Sequence, residues 1–303
     1  MGTDLVDELR NRYGADRVVA SDIRKPEGDF WNAGPFEILD VLDQKRIGEI
    51  FKKHKPVQVY HLAALLSATA EKNHKYGWEL NMDGMFNIFD ACLEHKVKRI
   101  FWPSSIAVFG PNTPRINTPQ YCVMDPNTVY GITKLTGERY CEYYHKRWGL
   151  DVRSIRYPGL IGYKAMPGGG TTDYAVDIFH QALKTCGYEC FLQAGTFLPM
   201  MYMPDAIKAT LDITHAPSEQ VPIRSSYNIS AMSFDPEAIA TAIRSIIPEF
   251  KISYRSDPRQ AIANSWPQSI DDTNARKDWN WKPDFDLDAM VKDMLENLRL
   301  MGV

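Results

Sequence analysis

Along the first 158 positions, apolar residues recur alternately at helical spacing and in short unbroken runs. Leu5, Val6 and Leu9 mark one face of an opening helix that Gly14 ends. "RVVASD" (17–22) then predicts a short buried strand tipped by an acid, and "FEILDV" (36–41) predicts a second. Ile47, Ile50 and Phe51 share one face of a helix predicted over 43–53. "VQVYHLAAL" (57–65) is a buried strand that runs into small residues. A helix over 76–95, the strand "VKRIFWPSS" (97–105), a helix over 128–147 and the strand "LDVRSIRYP" (150–158) complete the series. Strands alternating with helices imply an α/β fold whose parallel sheet has right-handed crossovers, with ligands at the carboxyl ends of its strands.

After Pro158 the rhythm changes. "KAMPGGGTTDYAVDIFHQAL" (164–183) is a glycine-rich loop entering a helix, and "QAGTFLPMMYMPDAIKATLDI" (193–213) reads as a strand then a helix. The division expected is 1–158 as a nucleotide-binding half and 159–303 mainly as a substrate-binding lobe, some of whose strands return to the main sheet. With 44% hydrophobic and 24% charged residues, the composition of the 303-residue chain leaves no case for disorder. A net charge of −3 provides no field for nucleic acid or a membrane, so a small neutral or zwitterionic ligand is expected. No apolar run reaches membrane-spanning length, and the start does not read as a signal peptide. Cys92, Cys122, Cys141, Cys186 and Cys190 contain no C-x-x-C pair, which points to reduced thiols in a cytoplasmic setting and no metal site.

The chemistry concentrates in "NTVYGITK". Tyr130 and Lys134 are four apart, hence on one helix face. An ammonium near a phenol favours the phenolate and draws its pKa toward a useful range. Upstream, "FWPSSIAVFG" places Ser104 and Ser105 at the carboxyl end of a strand, where a hydroxyl can hold a substrate oxygen beside the tyrosine. Asp22, at its own strand tip, is placed to accept bonds from both ribose hydroxyls of a dinucleotide and to repel a 2′-phosphate. It favours NAD, although Arg24 and Lys25 follow closely and would suit NADP. Gly2 stands at the spacing of the last fingerprint glycine, about 20 residues before that acid. The first strand and first two glycines are expected ahead of residue 1, and without them weakened NAD binding and a less stable nucleotide half are expected.

This order of elements resembles the extended branch of the short-chain dehydrogenase/reductase superfamily, which includes nucleotide-sugar epimerases, over nearly the whole chain. The resemblance implies a Rossmann-type doubly wound sheet with a small C-terminal substrate lobe. It implies Tyr130 as catalytic base, Lys134 as the cation that lowers its pKa and holds the nicotinamide ribose, and Ser105 as the hydroxyl that orients the substrate. Asn81 in "ELNMDG" resembles the asparagine supporting the proton-relay site. Ala63 and Ala64 in "HLAAL" would pass the cofactor, Asp40 and Val41 in "LDV" would meet the adenine, and Tyr157, Pro158 and Leu160 would lie near the carboxamide.

"PGGGTTDYAVDIF" (167–179), "DPNTVYG" and "WPQSIDDTNARKDWNWKPDFDL" (266–287) further resemble NAD-dependent L-threonine 3-dehydrogenases of the short-chain type. That likeness implies oxidation of the threonine secondary alcohol to 2-amino-3-oxobutyrate. Thr171 and Thr172 would then either bring backbone N–H groups to the substrate carboxylate or simply cap a helix. Ser67 and Trp266 are further candidates for substrate contact. His61, His180, Trp279 and Trp281 read as packing residues. A homodimer is expected through the helices flanking the serine strand, with Met85, Ile88, Phe89, Tyr140 and Tyr144 as possible interface surface. Two alternatives stay open: a nucleotide-sugar epimerase or dehydratase, using Arg224, Lys251 and Arg255 for a diphosphate, and a non-enzymatic NAD-binding protein.

Overall fold

The apolar runs form shorter strands than their length suggests, because the sheet twists and the chain steps sideways within it. The computed structural model describes residues 1–303, with the side chains of Ser67 and Ala68 outside the described set. Its strands are β1 (Ala20–Asp22), β2 (Phe36–Ile38), β3 (Gln58–Tyr60), β4 (Arg99–Phe101), β5 (Ser104–Ser105), β6 (Val152–Arg153) and β7 (Ile155–Tyr157). Then follow β8 (Gly159–Ile161), β9 (Gly187–Cys190), β10 (Leu198–Tyr202), β11 (Tyr227–Asn228), β12 (Met232–Phe234) and β13 (Lys251–Tyr254).

Parallel β3, β4 and β6 make one ladder with β4 in the middle, and parallel β5, β7 and β11 make the next with β7 in the middle. The chain passes from one ladder to the other at Pro103, which has no N–H for a ladder, and again at Ser154. β10 lies between parallel β8 and antiparallel β12, while β9 pairs with β13. Helices Gln44–His54, Gly84–Glu94 and Val129–Trp148 cover one face. Gly2–Tyr13 and Met203–His215 contribute to the other through Leu5, Leu9, Ile207 and Leu211. This is the doubly wound, Rossmann-type α/β arrangement expected.

Three local outcomes differ from the sequence pattern. The helix predicted over 76–95 is built as His74–Trp78, a π-helical turn Glu79–Asp83 and Gly84–Glu94. The π-turn places Asn81 inward, and such single turns gather at functional sites. Second, among the described residues β1 bonds only to β2, and β3 bonds on its strand edges only to β4. β3 is therefore half-buried along its whole length. Third, Met85, Ile88, Phe89 and Tyr144 do not form an outer surface. Met85, Ile88 and Phe89 of helix 84–94 and Tyr144 of helix 129–148 lie 0–5% exposed in one shared core cluster, helix 84–94 being apolar on more than one side.

Helix 129–148 sits unusually close to the turn Ile106–Val108. A Cβ on Gly131 would lie 2.2 Å from the Ala107 carbonyl oxygen and 2.7 Å from Pro126, and one on Gly137 would lie 2.4 Å from the Trp102 ring. These two glycines let the helix press against the end of the serine strand. Gly131→Ala is expected to destabilise the fold by about 1–3 kcal/mol, since overpacking against backbone outweighs alanine's helix preference of about 1 kcal/mol. Thermal unfolding checks this: a fall in Tm is expected, and an unchanged or raised Tm contradicts the close packing.

Candidate active site

Thr128 caps helix 129–148 by accepting from the Gly131 N–H at 3.1 Å, and the Glu71 carboxylate accepts from the Val129 N–H at 2.6 Å. These bonds fix the first turn, which carries Tyr130. Ser105, at the end of β5, accepts from the Ala107 N–H at 3.2 Å and caps the following short helix. The Tyr130 hydroxyl lies beside the Ser105 hydroxyl. Burial pushes the Tyr130 pKa up to about 12, with the Ser105 hydrogen bond acting in the opposite direction. The phenol packs against the core rather than facing open solvent.

Lys134 is 4% exposed. Its Nζ donates to the Pro103 carbonyl at 2.6 Å and stands 4.4 Å over the Trp102 ring, against 5.6 Å from the centre of the Tyr130 ring. Burial lowers its pKa to about 8. The expected lowering of the phenol's pKa by this ammonium is therefore reversed in this geometry: the cation is turned to Pro103 and Trp102, and burial controls Tyr130. His61 is also buried, and burial followed by the Lys134 charge lowers its pKa to about 3, so it is neutral.

Asn81 braces the site from the π-turn. Its Oδ1 accepts from the Leu65 N–H at 2.7 Å, while its Nδ2 donates to the Leu65 carbonyl and to Thr133 Oγ1, both at 3.1 Å. Thr133, inside "YGITK", thus ties helix 129–148 to the loop after β3. Neither Thr133 nor Glu71 was singled out from sequence, although Thr133 lies on the same helix turn as the two residues that were.

On the cofactor side, Asp22 is exposed at the end of β1, and its carboxylate accepts only from the Arg24 N–H at 3.2 Å among the described residues. Asp40 is exposed and accepts from the Leu42 N–H at 2.9 Å, Ala63 is exposed and Ala64 is half-buried. Carboxylate acceptors near strand tips beside small residues fit the ribose hydroxyls of NAD, which would donate to them. Lys25 instead donates to Asn32 at 2.7 Å. Three candidates are placed differently. The Val41 side chain is buried against Gly84 in the core. Tyr157 is buried with its hydroxyl bonded to Thr210, because alternation along β7 sends it to the face opposite Arg156. Gly2 opens its helix, and the protein atom nearest a would-be Cβ there is on Leu62, at 4.0 Å. Pro158 is buried and Leu160 half-buried where the chain passes from β7 to β8.

In the C-terminal part, helix Tyr174–Thr185 starts after Thr171 and Thr172, so neither threonine is its cap. Thr171 is buried, Thr172 packs against Gly159, and Asp173 fastens the loop by accepting from the N–H groups of Gly169 and Gly170 at 2.7 and 2.8 Å. Trp266 is buried, and its carbonyl accepts from Arg115 at 3.4 Å. The Ser67 side chain lies outside the described residues. His180 is buried with neither ring nitrogen partnered. Trp279 and Trp281 pack beneath the main sheet with Tyr227 and Ile155 rather than in the lobe core. A cavity of about 590 Å³ lies behind the glycine loop, lined by Asp173, Asp177, Phe191 and Arg259 and by none of the three residues Ser105, Tyr130 and Lys134.

Residues 1–230 match the NAD dependent epimerase/dehydratase family. An uncharacterized epimerase/dehydratase of Staphylococcus saprophyticus is 48% identical over 298 residues, covering 98% of this chain and 93% of that protein. The holo form of a GalE-like L-threonine dehydrogenase from Cupriavidus necator is 50% identical, with a TM-score of 0.96 over 98% of this chain and 96% of that one. An L-threonine dehydrogenase from Clostridium difficile is 49% identical, with a TM-score of 0.97 over 100% of this chain and 95% of that one.

Proposed function

Because the chain belongs to the NAD-dependent epimerase/dehydratase family, we propose that it oxidises the 3-hydroxyl of L-threonine to 2-amino-3-oxobutyrate. NAD supplies the hydride acceptor. One observation carries the reading: the Ser105 and Tyr130 hydroxyls stand side by side, one helical turn from Lys134, in a chain about half identical to two threonine dehydrogenases. Ser105 and Tyr130 hold the substrate hydroxyl. As the Cβ–H bond breaks with its electron pair, Tyr130 takes the hydroxyl proton and the carbonyl forms. Lys134, whose ammonium lies 5.6 Å from the centre of the Tyr130 ring, is the cation proposed to make the phenolate reachable. Asn81 holds the helix and the loop after β3 in register. Thr171, Thr172, Ser67 and Trp266 are the residues proposed around the amino and carboxylate ends.

The nucleotide-sugar alternative finds less support. Arg224 is bonded to Asp151 and Ser218, Asp151 lying just ahead of β6 and so at the amino ends of the strands. Arg255 is exposed beside Glu189, and Lys251 is exposed at the start of β13. No diphosphate cradle is gathered from the three. Absorbance at the NADH band tests the reading. L-threonine with NAD is expected to raise it; silence with threonine, together with interconversion of UDP-glucose and UDP-galactose, overturns it.

A homodimer in a cytoplasmic setting goes with this reading. Since Met85, Ile88, Phe89 and Tyr144 are internal, the face proposed for the second copy is Trp78, Ile132, Tyr140, Tyr143 and Trp148, each 37–49% exposed on the segments flanking the site. Exposed apolar and aromatic side chains of this size, with Tyr140, Tyr143 and Trp148 stacked edge to face, suit an interaction surface. Ile132→Glu is expected to convert dimer to monomer in sedimentation, and a wild-type monomer contradicts the assignment. No described helix is long and apolar enough to cross a membrane.

A further inference from the structure

Glu138 lies one turn beyond Lys134, so Tyr130, Lys134 and Glu138 run down one face of the catalytic helix. It is 0% exposed, and both of its carboxylate oxygens are claimed. Oε1 accepts from Ser104 Oγ at 2.6 Å and from Arg156 Nε at 2.8 Å, while Oε2 accepts from an Arg156 terminal nitrogen at 2.8 Å. Ser104 precedes Ser105 on β5 and stands opposite Arg156 on β7. The other terminal nitrogen of Arg156 donates to the Gln120 carbonyl at 2.9 Å and to Asn228 Oδ1 at 3.0 Å. Asn228 Nδ2 in turn donates to the carbonyls of Thr118 and Asp271.

We infer that the buried Glu138–Arg156 pair is a positioning device that sets the height and rotation of the Tyr130 helix over the Ser105 strand. The physical case is one of direction. Close-packed apolar side chains give a buried contact of equal or greater stability, because desolvating two charges offsets most of their attraction. They leave a 20-residue helix free to settle by tenths of an ångström along or around its axis. A planar fork meeting a carboxylate in two bonds accepts one orientation. Ser104 adds a third bond from the residue next to the reacting hydroxyl, so helix and strand are referred to a common point. The extension through Asn228 to Asp271 refers the C-terminal lobe to that point as well.

The inference rests on the reading of Tyr130 and Ser105 as the reacting pair. Arg156→Lys keeps the charge and removes the fork; Ser104→Ala removes only the tie to the strand and leaves the ion pair in place. With L-threonine and NAD, kcat is expected to fall by roughly 10–100-fold in Arg156→Lys and several-fold in Ser104→Ala, the scale set by sub-ångström misplacement of reacting groups. KM for NAD should stay near wild type, and the primary isotope effect with 3-deuterated threonine should be larger in both variants. A lost fold alone would lower the amount of active enzyme and leave kcat per folded molecule and the isotope effect unmoved. Crystal structures of the same variants give a readout independent of activity: the Tyr130–Ser105 hydroxyl separation is expected to lengthen while the sheet superimposes. Wild-type turnover retained within twofold by both variants, or an unchanged separation, overturns the inference. Absence of threonine oxidation by the wild type, with the separation still lengthened in the variants, sinks the proposed reaction and leaves the positioning role standing.

Discussion

Tyr130→Phe is expected to lower kcat for threonine oxidation by roughly 10²–10⁴-fold, the range typical for loss of a positioned proton-transfer group. The ring remains to fill its place against the core, and only the hydroxyl facing Ser105 is lost. Thermal stability should therefore stay within about 1 kcal/mol of wild type, the net worth of one hydrogen bond. Steady-state kinetics with circular-dichroism melting separates the two effects. Turnover within threefold of wild type removes Tyr130 from the chemistry.

Lys134→Met is expected to abolish turnover without lowering the Tm at neutral pH. The lysine is held at about 8, below its ordinary 10.5, because its charge is buried. A lysine with a depressed folded-state pKa opposes folding while it is charged in both states. Wild-type stability should accordingly rise as pH goes from about 8 to 10.5 and be lowest below 8. The fall from 10.5 to about 8 corresponds to about 3 kcal/mol opposing folding at neutral pH. Methionine, of similar length, carries none of that penalty. Melting curves at pH 7 and pH 10 check the sign: the variant should match or exceed wild type at pH 7 and lose any advantage at pH 10. A variant less stable at pH 7 by several degrees contradicts this. A second consequence is kinetic. With the phenol near 12 and the ammonium near 8, kcat/KM should climb up to about pH 8 and then level, as a pair needing one proton between them does.

The proposed trio of Ser105, Tyr130 and Lys134 was legible because each member is specified locally. Y-x-x-x-K fixes a helix face, and a serine pair at the end of an apolar run fixes a strand tip. What went unread depends on partners distant in sequence. The burial of Glu138 and Arg156 follows only when helix 129–148, β5 and β7 are brought together. Tyr157 was assigned to the cofactor side because its strand was recognised but not which alternating face looked onto the cleft. Met85, Ile88 and Phe89 read equally as interface or core until the neighbouring helices are in place. The strands at 97–105 and 150–158 read as single runs because apolar patterning does not register a sideways step at Pro103 or Ser154. The sign of the Tyr130 shift failed for a related reason: helical spacing puts Lys134 on the right face, while the carbonyl at Pro103 decides where its ammonium points.

In the proposed reaction a hydride leaves Cβ of threonine while Tyr130 takes the adjoining proton. The most direct measurement uses L-threonine deuterated at C3, with NAD and the wild-type chain, and mass spectrometry of the NADH formed. NADH carrying the deuterium is the expected result, and the label should be absent with Tyr130→Phe at matched times. Unlabelled NADH from the wild type, or threonine that keeps its deuterium through prolonged incubation, contradicts the account.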